Sequence, residues 1–241
     1  MSTGKQKIFT LGCSFTYGHG FPDCYDFDKH FAPSKFAWPA ILEQKIDRKV
    51  INISSPGASC KETARRFLHH NHLMAENDIV IVAWPYFDRS HIALCSKLDG
   101  IAKLTIGIPV IKNPGEGLED IDIEHWFKYY TNDYNQLEEF MTACMLITNT
   151  CRLKGLHVIN MVFNEQYKRQ VKSAMKDPDA KWFDAPIERS VMDCVPRNYH
   201  RFRRLYNKTF ADLPDGHRGK SHHQVWAERF YRKIVRRGWL N

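Results

Sequence analysis

The most informative part of this sequence is Ile8-Phe9-Thr10-Leu11-Gly12-Cys13-Ser14-Phe15-Thr16-Tyr17-Gly18. Its first four residues are apolar or β-branched, which is typical of a strand buried on both faces in a parallel sheet. Small residues then end the strand, and Ser14 follows directly. Because ligands of open α/β sheets bind beyond the carboxyl ends of the strands, the sequence predicts a functional serine at that edge.

Three later apolar runs predict strands of the same type. The four predicted strands cover Lys7–Leu11, Val50–Ile53, Asp78–Trp84 and Leu156–Phe163. Apolar residues at helical spacing predict helices over Trp38–Ile46, from about Lys61 to Leu73, and within Ile121–Leu153. Strands that alternate with helices predict an α/β fold, in which a mostly parallel sheet lies between two helical layers.

A final helix is predicted near the C-terminal end of the chain. Trp226, Phe230 and Ile234 recur every four residues and form one apolar stripe. Ser221 and Gln224 have capping-box spacing, which predicts Ser221 at the start of this helix. We expect a single domain over residues 1–241, with a helical insertion at about 85–153.

Composition narrows the functional classes. Hydrophobic residues make up 43% of the 241 residues, which is enough for a core, and no apolar run approaches the ~20 residues of a membrane span. The N-terminal residues lack the apolar core of a signal peptide, so we expect a cytoplasmic protein. The cysteines number seven and form no Cys-x-x-Cys pair, which argues against a disulfide framework and a structural zinc site.

We expect no cofactor. Gly12, Gly18 and Gly20 do not have the spacing of a dinucleotide-binding loop, and no phosphate-loop lysine follows them. The histidine cluster His69, His70 and His72 lacks acidic or cysteine partners at metal-ligand spacing, so we interpret it as solvent-facing.

Positive charge is concentrated near the C-terminal end. The formal net charge is +8, and residues 197–237 hold twelve Lys or Arg against three acids. Such a segment can attract nucleic acid, or it can be the solvated face of a helix. No nucleic-acid motif accompanies it, so nucleic-acid binding stays a minor alternative.

The residues that carry candidate chemistry are Ser14, Asp215 and His217. A serine hydroxyl needs a base to remove its proton, and His217 is the best candidate. Asp215 stands two positions earlier, so in an extended segment both side chains face the same way and Asp215 can orient the imidazole. Taken singly, Ser14 also fits a helix N-cap, and Asp215-Gly216-His217 also fits a simple turn.

Three blocks of this sequence together resemble a known family. Gly12-Cys13-Ser14-Phe15-Thr16 resembles the first block of the SGNH hydrolases, the GDSL esterase and lipase superfamily, in a "GCSFT" variant common in phage and bacterial genomes. The segment 52–59 resembles the second block, an asparagine that ends a strand before a glycine loop. Residues 213–217, together with 221–227, resemble the fifth. The order and spacing match over nearly the whole chain.

The resemblance implies a flavodoxin-like SGNH fold and assigns roles to matching residues. Ser14 would be the nucleophile, His217 the general base and Asp215 its partner. The backbone N–H groups of Ser14 and Gly57 would bind the oxyanion, and glycine suits that place because it lets the backbone approach a substrate closely. The implied activity is hydrolysis of a small or carbohydrate ester by acyl transfer to Ser14.

The chain departs from the family pattern in two places. The third block, Gly-x-Asn-Asp, supplies an asparagine to the oxyanion hole, but the chain reads Val82-Ala83-Trp84-Pro85-Tyr86-Phe87-Asp88-Arg89 there. Arg89 or Asn164 is a candidate replacement donor. The family's Asp-x-x-His is also Asp-x-His here, which leaves Asp212 as a second candidate acid.

Other residues near these blocks have two interpretations. Trp38, Trp84, Tyr86 and Phe87 fit an aromatic pocket wall for a sugar face, with Trp84 as a candidate substrate contact, and they also fit the core. His19 is a candidate pocket residue. His222 and His223 flank a helix start and are expected at the surface or in a cap. Cys13 is expected as a small buried hydrophobe, with nucleophilic chemistry as the alternative.

Three functional hypotheses follow. The first is an SGNH-type serine esterase that needs neither metal nor cofactor. The second is a binding or phage accessory module of the same fold that has lost catalysis. The third is nucleic-acid binding through the basic C-terminal segment. The sequence does not indicate an oligomeric state.

Overall fold

A parallel sheet is the framework of the fold, as the sequence predicts. The computed structural model describes residues 5–24, 32–87, 92–93, 105–106, 133–162, 165–176, 182–188 and 218–240. The strands are β1 (Ile8–Gly12), β2 (Val50–Asn52), β3 (Ile79–Ala83), β4 (Ile92–Ala93), β5 (Thr105–Ile106), β6 (His157–Met161) and β7 (Ile187–Glu188). The helices are α1 (Ser14–Tyr17), α2 (Trp38–Ile46), α3 (Cys60–His70), α4 (Asp133–Leu153), α5 (Glu165–Ala174) and α6 (Lys220–Arg236).

Five of the strands form the main sheet in the order β2-β1-β3-β6-β7, and every neighbouring pair is parallel. Strands β4 and β5 form a separate antiparallel pair. The chain runs from β1 to β2 on one side and then crosses to β3 on the other side of β1. The carboxyl ends of β1 and β3 therefore flank the topological switch point, where ligands of such sheets bind.

Helices cover both faces of the sheet, and alternate strand residues point to opposite layers. Phe9 and Leu11 of β1 belong to a core shared with α3 and α4. Ile8 of β1 belongs to the other core, which α2 and α6 cover. The sequence therefore predicts the three-layer α/β/α architecture correctly.

The apolar stripe of α6 is confirmed, because Trp226, Phe230 and Ile234 are all buried against the sheet. The start of this helix was predicted wrongly. Gly219 is the N-cap and makes no side-chain capping bond, so Ser221 lies inside the first turn. Ser221 is therefore not the N-cap of α6, and the predicted capping box of Ser221 and Gln224 does not start this helix.

The structure confirms a helix within 121–153 and adds a fifth strand to the main sheet. Helix α4 occupies the last part of the segment 85–153, but it packs against α3 and β6 within the larger core. It is a crossover helix between β3 and β6, so it belongs to the framework of the fold. The two-residue strand β7 was not predicted, because it is too short to leave a pattern in the sequence.

Membrane-spanning helices and metal-binding clusters are both absent from the ranges that the structure describes. No helix in these ranges is long and apolar enough to cross a bilayer. The same ranges contain no group of three or more His, Cys, Asp or Glu side chains arranged to hold a metal ion.

Candidate active site

Ser14 lies where β1 changes abruptly into a single helical turn. Gly12 ends the strand with φ of +150°, and a Cβ added there would lie 2.6 Å from the carbonyl oxygen of Ala83 in β3. Cys13 is the N-cap of α1, and Ser14 is its first residue. Only glycine fits this close approach between two strand ends, so the sharp turn that exposes position 14 depends on Gly12.

The environment of Ser14 suits a nucleophile better than a structural cap. Because Cys13 is the N-cap, Ser14 does not have the capping role that its residue type also allows. The residue is 5% exposed, so it lies under the surface at the edge of the sheet. As the first residue of α1, its N–H has no acceptor within the helix.

Gly57 lies in a tight turn after β2. Ala58 donates its N–H to Ser55 O at 3.2 Å, and Pro56 and Gly57 occupy the two central positions. Proline followed by a glycine with φ of +75° is the pattern of a type II turn. The turn's own hydrogen bond joins Ser55 and Ala58, which leaves the Gly57 N–H outside it and suited to donate to a ligand.

The loop after β2 is attached directly to the turn that carries Ser14. Ser55 donates its N–H to the carbonyl of Gly12 at 3.2 Å. The side-chain Nδ2 of Asn52 donates to the carbonyl of Thr16 in α1 at 2.9 Å. These two hydrogen bonds connect the loop that carries Gly57 to the turn that carries Ser14.

The carboxyl end of β3 has a different character. The Trp84 side chain is fully buried in the larger core and donates its Nε1–H to Asn160 Oδ1 at 3.1 Å. Asn160 in turn donates to the Thr148 hydroxyl at 2.9 Å. This placement does not fit a substrate contact, because the ring faces the core and its polar atom has a protein partner.

Of the other aromatic residues predicted to line a pocket, two are buried and one is partly exposed. Trp38 and Phe87 are buried and pack in the two cores. Tyr86 is half-buried, and its ring lies 6.3 Å, edge to face, from the ring of Phe15, the neighbour of Ser14. Within the ranges that the structure describes, Tyr86 and Phe15 are thus aromatic residues near Ser14 that have part of their surface exposed.

The start of α6 lies beside the Ser14 turn. The ring of Trp226 is 6.4 Å from that of Phe15. His223 Nδ1 accepts the N–H of Trp38 at 3.0 Å and so satisfies the first N–H of α2. This contact joins the start of the last helix to the first third of the chain.

His222 and His223 were expected at the surface or in a cap; the surface placement was wrong, whereas His223 does cap a helix, because it accepts the first N–H of α2. They are 6% and 1% exposed. The signal was present in the sequence, since they precede Trp226 by four and three positions and so share its helical face. The outward orientation predicted for His69 and His72 is confirmed, and His70 is half-buried.

The cysteines near Ser14 are poorly suited to nucleophilic chemistry. Cys13 is fully buried, as expected of a small hydrophobe. Burial and the nearby Asp23 carboxylate raise the pKa of the Cys24 thiol to about 11, and its Sγ donates to the carbonyl of Gly18 at 3.1 Å. A thiol with so high a pKa is protonated near neutral pH and is a weak nucleophile.

The remaining predicted site residues lie outside the part of the chain that the structure describes. They are Arg89, Asn164, Asp212, Asp215 and His217. Ser14, Gly57 and Trp84 are the predicted site residues that the structure places.

Comparison with known proteins gives a fold but no close relative. The sequence matches no protein-family model and none of the curated proteins. The structure resembles a lipolytic protein of the G-D-S-L family from Desulfitobacterium hafniense DCB-2, with 13% identity and a TM-score of 0.51, over 95% of this chain and 99% of that one. The chain has the SGNH/GDSL hydrolase fold.

Two esterases share this SGNH/GDSL fold. The psychrotrophic esterase EstA from Pseudoalteromonas sp. is 11% identical with a TM-score of 0.53, over 96% of this chain and 98% of that one. The acetyl xylan esterase AlAXEase is 9% identical with a TM-score of 0.51, over 95% of this chain and 99% of that one. At such identities the likeness establishes the fold, and activity depends on the residues of the site.

Proposed function

We propose that this protein is a serine esterase that cleaves a small or carbohydrate ester through an acyl-enzyme at Ser14. One observation carries the proposal. Ser14 begins a helical turn at the topological switch point, and the Gly57 turn is hydrogen-bonded to the same piece of backbone. A nucleophile and two backbone donors near one strand end is the arrangement that acyl transfer requires.

The proposed base is His217, and its place in the chain supports the choice. Helix α6 starts three positions after it and contacts the Ser14 turn through Trp226 and Phe15. Asp215 is the proposed partner of His217, with Asp212 as the alternative. Loss of turnover in only one of Asp215→Asn and Asp212→Asn would decide between them.

The proposed reaction has two stages, acylation of Ser14 and hydrolysis of the acyl-enzyme. Ser14 Oγ attacks the acyl carbon while His217 removes its proton, and the N–H groups of Ser14 and Gly57 bind the resulting oxyanion. The C–O bond to the alcohol then breaks, and His217 returns the proton to the leaving oxygen. Water next attacks the acyl-Ser14 ester with His217 as base, which releases the acid and restores the serine.

The asparagine that the family places after β3 needs a substitute, because the indole of Trp84 faces the core. Arg89 and Asn164 are the proposed donors. Loss of one such donor typically costs about 10²–10³ in rate, so Arg89→Ala or Asn164→Ala should show that loss. Unchanged turnover in both variants would mean that Ser14 and Gly57 bind the oxyanion alone.

The proposed substrate class rests on the aromatic surface near Ser14. The half-buried ring pair Phe15 and Tyr86 offers apolar area on which the CH face of a sugar can stack. AlAXEase, which has the same fold, is an acetyl xylan esterase. Acetylated oligosaccharides are therefore the first substrates to assay, beside simple acetyl esters.

The test compares Ser14→Ala with the wild type on p-nitrophenyl acetate and acetylated xylo-oligosaccharides, together with labelling by a fluorophosphonate probe. We expect turnover to fall by at least about 10³-fold and labelling to vanish, because the residual catalysis comes from binding alone. Ser173→Ala is the control, since Ser173 is an exposed serine on α5 and should leave both readouts unchanged. A wild type with no labelling and no turnover would favour the non-catalytic binding module.

A further inference from the structure

We propose that Asn52 is a positioning residue, which sets the distance between the turn that bears Ser14 and the turn that bears Gly57. This inference rests on the proposed function. Asn52 is the last residue of β2, and its side chain touches no reacting atom in that mechanism. It would act by holding the nucleophile and the oxyanion donor in one arrangement.

The two ends of the Asn52 amide bind different parts of the site. Its Nδ2 donates to the carbonyl of Thr16 in α1 at 2.9 Å. Its Oδ1 accepts the N–H of Ser54 at 3.1 Å and the hydroxyl of Ser54 at 2.5 Å. An amide has its donor and its acceptor on separate atoms and can join these partners, whereas the side chain of alanine can make neither bond.

Helix α1 needs such an outside contact. It has a single turn, and a helix of this length is not stable by itself because its first bonds do not offset the cost of nucleation. Thr16 lies near its end, where carbonyls have no partner within the helix. The bond from Asn52 therefore fixes the orientation of α1, and Ser14 turns with it.

The loop after β2 has a second attachment that does not depend on the side chain. Ser55 donates its N–H to the carbonyl of Gly12, and Arg66 Nε donates to the carbonyl of Ile53 at 2.7 Å. Because these bonds remain when Asn52 is changed, a variant should keep the fold. The expected defect is a looser spacing between α1 and the Gly57 turn.

The substitution Asn52→Asp separates the two ends of the side chain. An aspartate retains an oxygen for Ser54 and places a second oxygen against the carbonyl of Thr16, where two acceptors repel each other. The side chain is half-buried, so the carboxylate is accessible to water and the change is tolerated better than in a core. Asn52→Ala, which removes both contacts, is the second variant.

The matched control is Asn71→Asp. Asn71 Nδ2 donates to the carbonyl of Leu68 at the end of α3, which is the same contact between a side-chain amide and a helix-end carbonyl at a place remote from Ser14. Any general effect of replacing an asparagine by a charge should appear equally in both variants. An effect confined to Asn52→Asp belongs to the site.

The first readout is kinetic, with p-nitrophenyl acetate and the fluorophosphonate probe. We expect Asn52→Asp and Asn52→Ala to lower kcat and the labelling rate by about 10- to 100-fold, with KM within about twofold, since small misplacements of reacting groups cost that much. Asn71→Asp should stay within about twofold of the wild type. A wild-type kcat in both Asn52 variants would overturn the proposal, as would a loss confined to KM.

The second readout does not require activity. Amide hydrogen exchange should accelerate in the segments around 14–18 and 54–58 of both Asn52 variants, and not in Asn71→Asp. If exchange changes in this way but the wild type shows no Ser14-dependent chemistry, the proposed function fails and the structural tie stands. If exchange in both segments is unchanged, the tie is absent and the inference fails, whatever the activity.

Discussion

The carboxyl ends of β1 and β3 lie side by side, with Gly12 paired with Ala83, yet the residues that follow them are used in opposite ways. After β1, a glycine and a helical turn leave Ser14 near the surface, with backbone donors around it. After β3, the ring of Trp84 turns into the core, and its N–H is bound by Asn160. One strand end is organised by hydrogen bonds at an edge and the other by packing, so position at the switch point does not by itself make a residue functional.

The largest effect that tests this contrast should come from Trp84→Ala. The indole is fully buried, so its removal should lower the free energy of unfolding by about 4 kcal/mol, through lost burial and the cavity that remains. Urea denaturation measures this. Trp182→Ala, at a ring that is 47% exposed, should cost no more than about 1 kcal/mol. Equal costs would mean that Trp84 is not a core residue.

Gly12→Ala should come next, because it attacks the β1 end itself. The new methyl group would lie 2.6 Å from the Ala83 carbonyl oxygen and would also clash with the Thr16 hydroxyl, and the backbone lies at a φ that L-residues avoid. Overpacking and backbone strain together predict a loss of about 3 kcal/mol in unfolding free energy. Gly238 also has a positive φ, but a Cβ added there would have no atom within 4 Å apart from its chain neighbours, so Gly238→Ala should cost about 1 kcal/mol. A similar loss at both glycines would refute the steric argument.

Tyr86→Ala should show a modest effect of a different kind. This residue follows the same strand as Trp84, but its ring is half-buried and contacts Phe15 beside Ser14. Loss of a stacking surface worth about 1 kcal/mol predicts a rise of about fivefold in KM for acetylated xylo-oligosaccharides, with kcat unchanged. Tyr86→Phe should behave like the wild type. If KM stays constant and stability falls as it does in Trp84→Ala, both aromatics are core residues.

The smallest effect should come from His157, at the amino end of β6 and remote from both strand ends. Burial, followed by the positive charge of Arg237, lowers the pKa of this imidazole, so the folded state favours the neutral ring. The resulting stabilisation is present above the unfolded pKa of about 6.5 and is lost as the pH falls below it, by no more than about 1 kcal/mol because the ring is partly exposed.

The wild type should thus lose slightly more stability than His157→Gln between pH 8 and pH 5, which parallel denaturant titrations measure. Ester turnover at saturating substrate should not follow this difference, because the group is far from Ser14. An identical pH dependence of the two proteins would exclude a titration linked to folding at position 157.

The sequence predicts this fold well where the apolar pattern is strong. The β-branched run of Ile79–Ala83 is typical of a parallel strand that is covered on both faces. Trp226, Phe230 and Ile234 recur every four residues, which predicts a helix with one buried face. Strand β7 escapes prediction because two residues carry no periodicity.

The site is predicted unevenly, and the reason is physical. Gly57 is a candidate only through the resemblance to the second family block, and its role stays a prediction, as does that of Ser14. Position and residue type alone make Ser14 a candidate nucleophile and equally a candidate helix cap. Position and residue type do not predict whether Trp84 faces the site or the core, since a local pattern does not determine the side to which a ring turns after its strand. Asn52 was visible as a residue at a strand end, but its contact with Thr16 joins two crossover units and leaves no trace in local spacing.

The bond between Trp38 and His223 has a consequence for the order of events during translation. Trp38 is synthesised long before its hydrogen-bond partner His223, and Phe15 long before Trp226, whose ring it contacts. The nascent chain can assemble strands and early helices as it emerges, but the covering of its first helical turns is deferred until α6 leaves the exit tunnel. Synthesis interrupted before that point would release a polypeptide with an open apolar face, which is a substrate for chaperones.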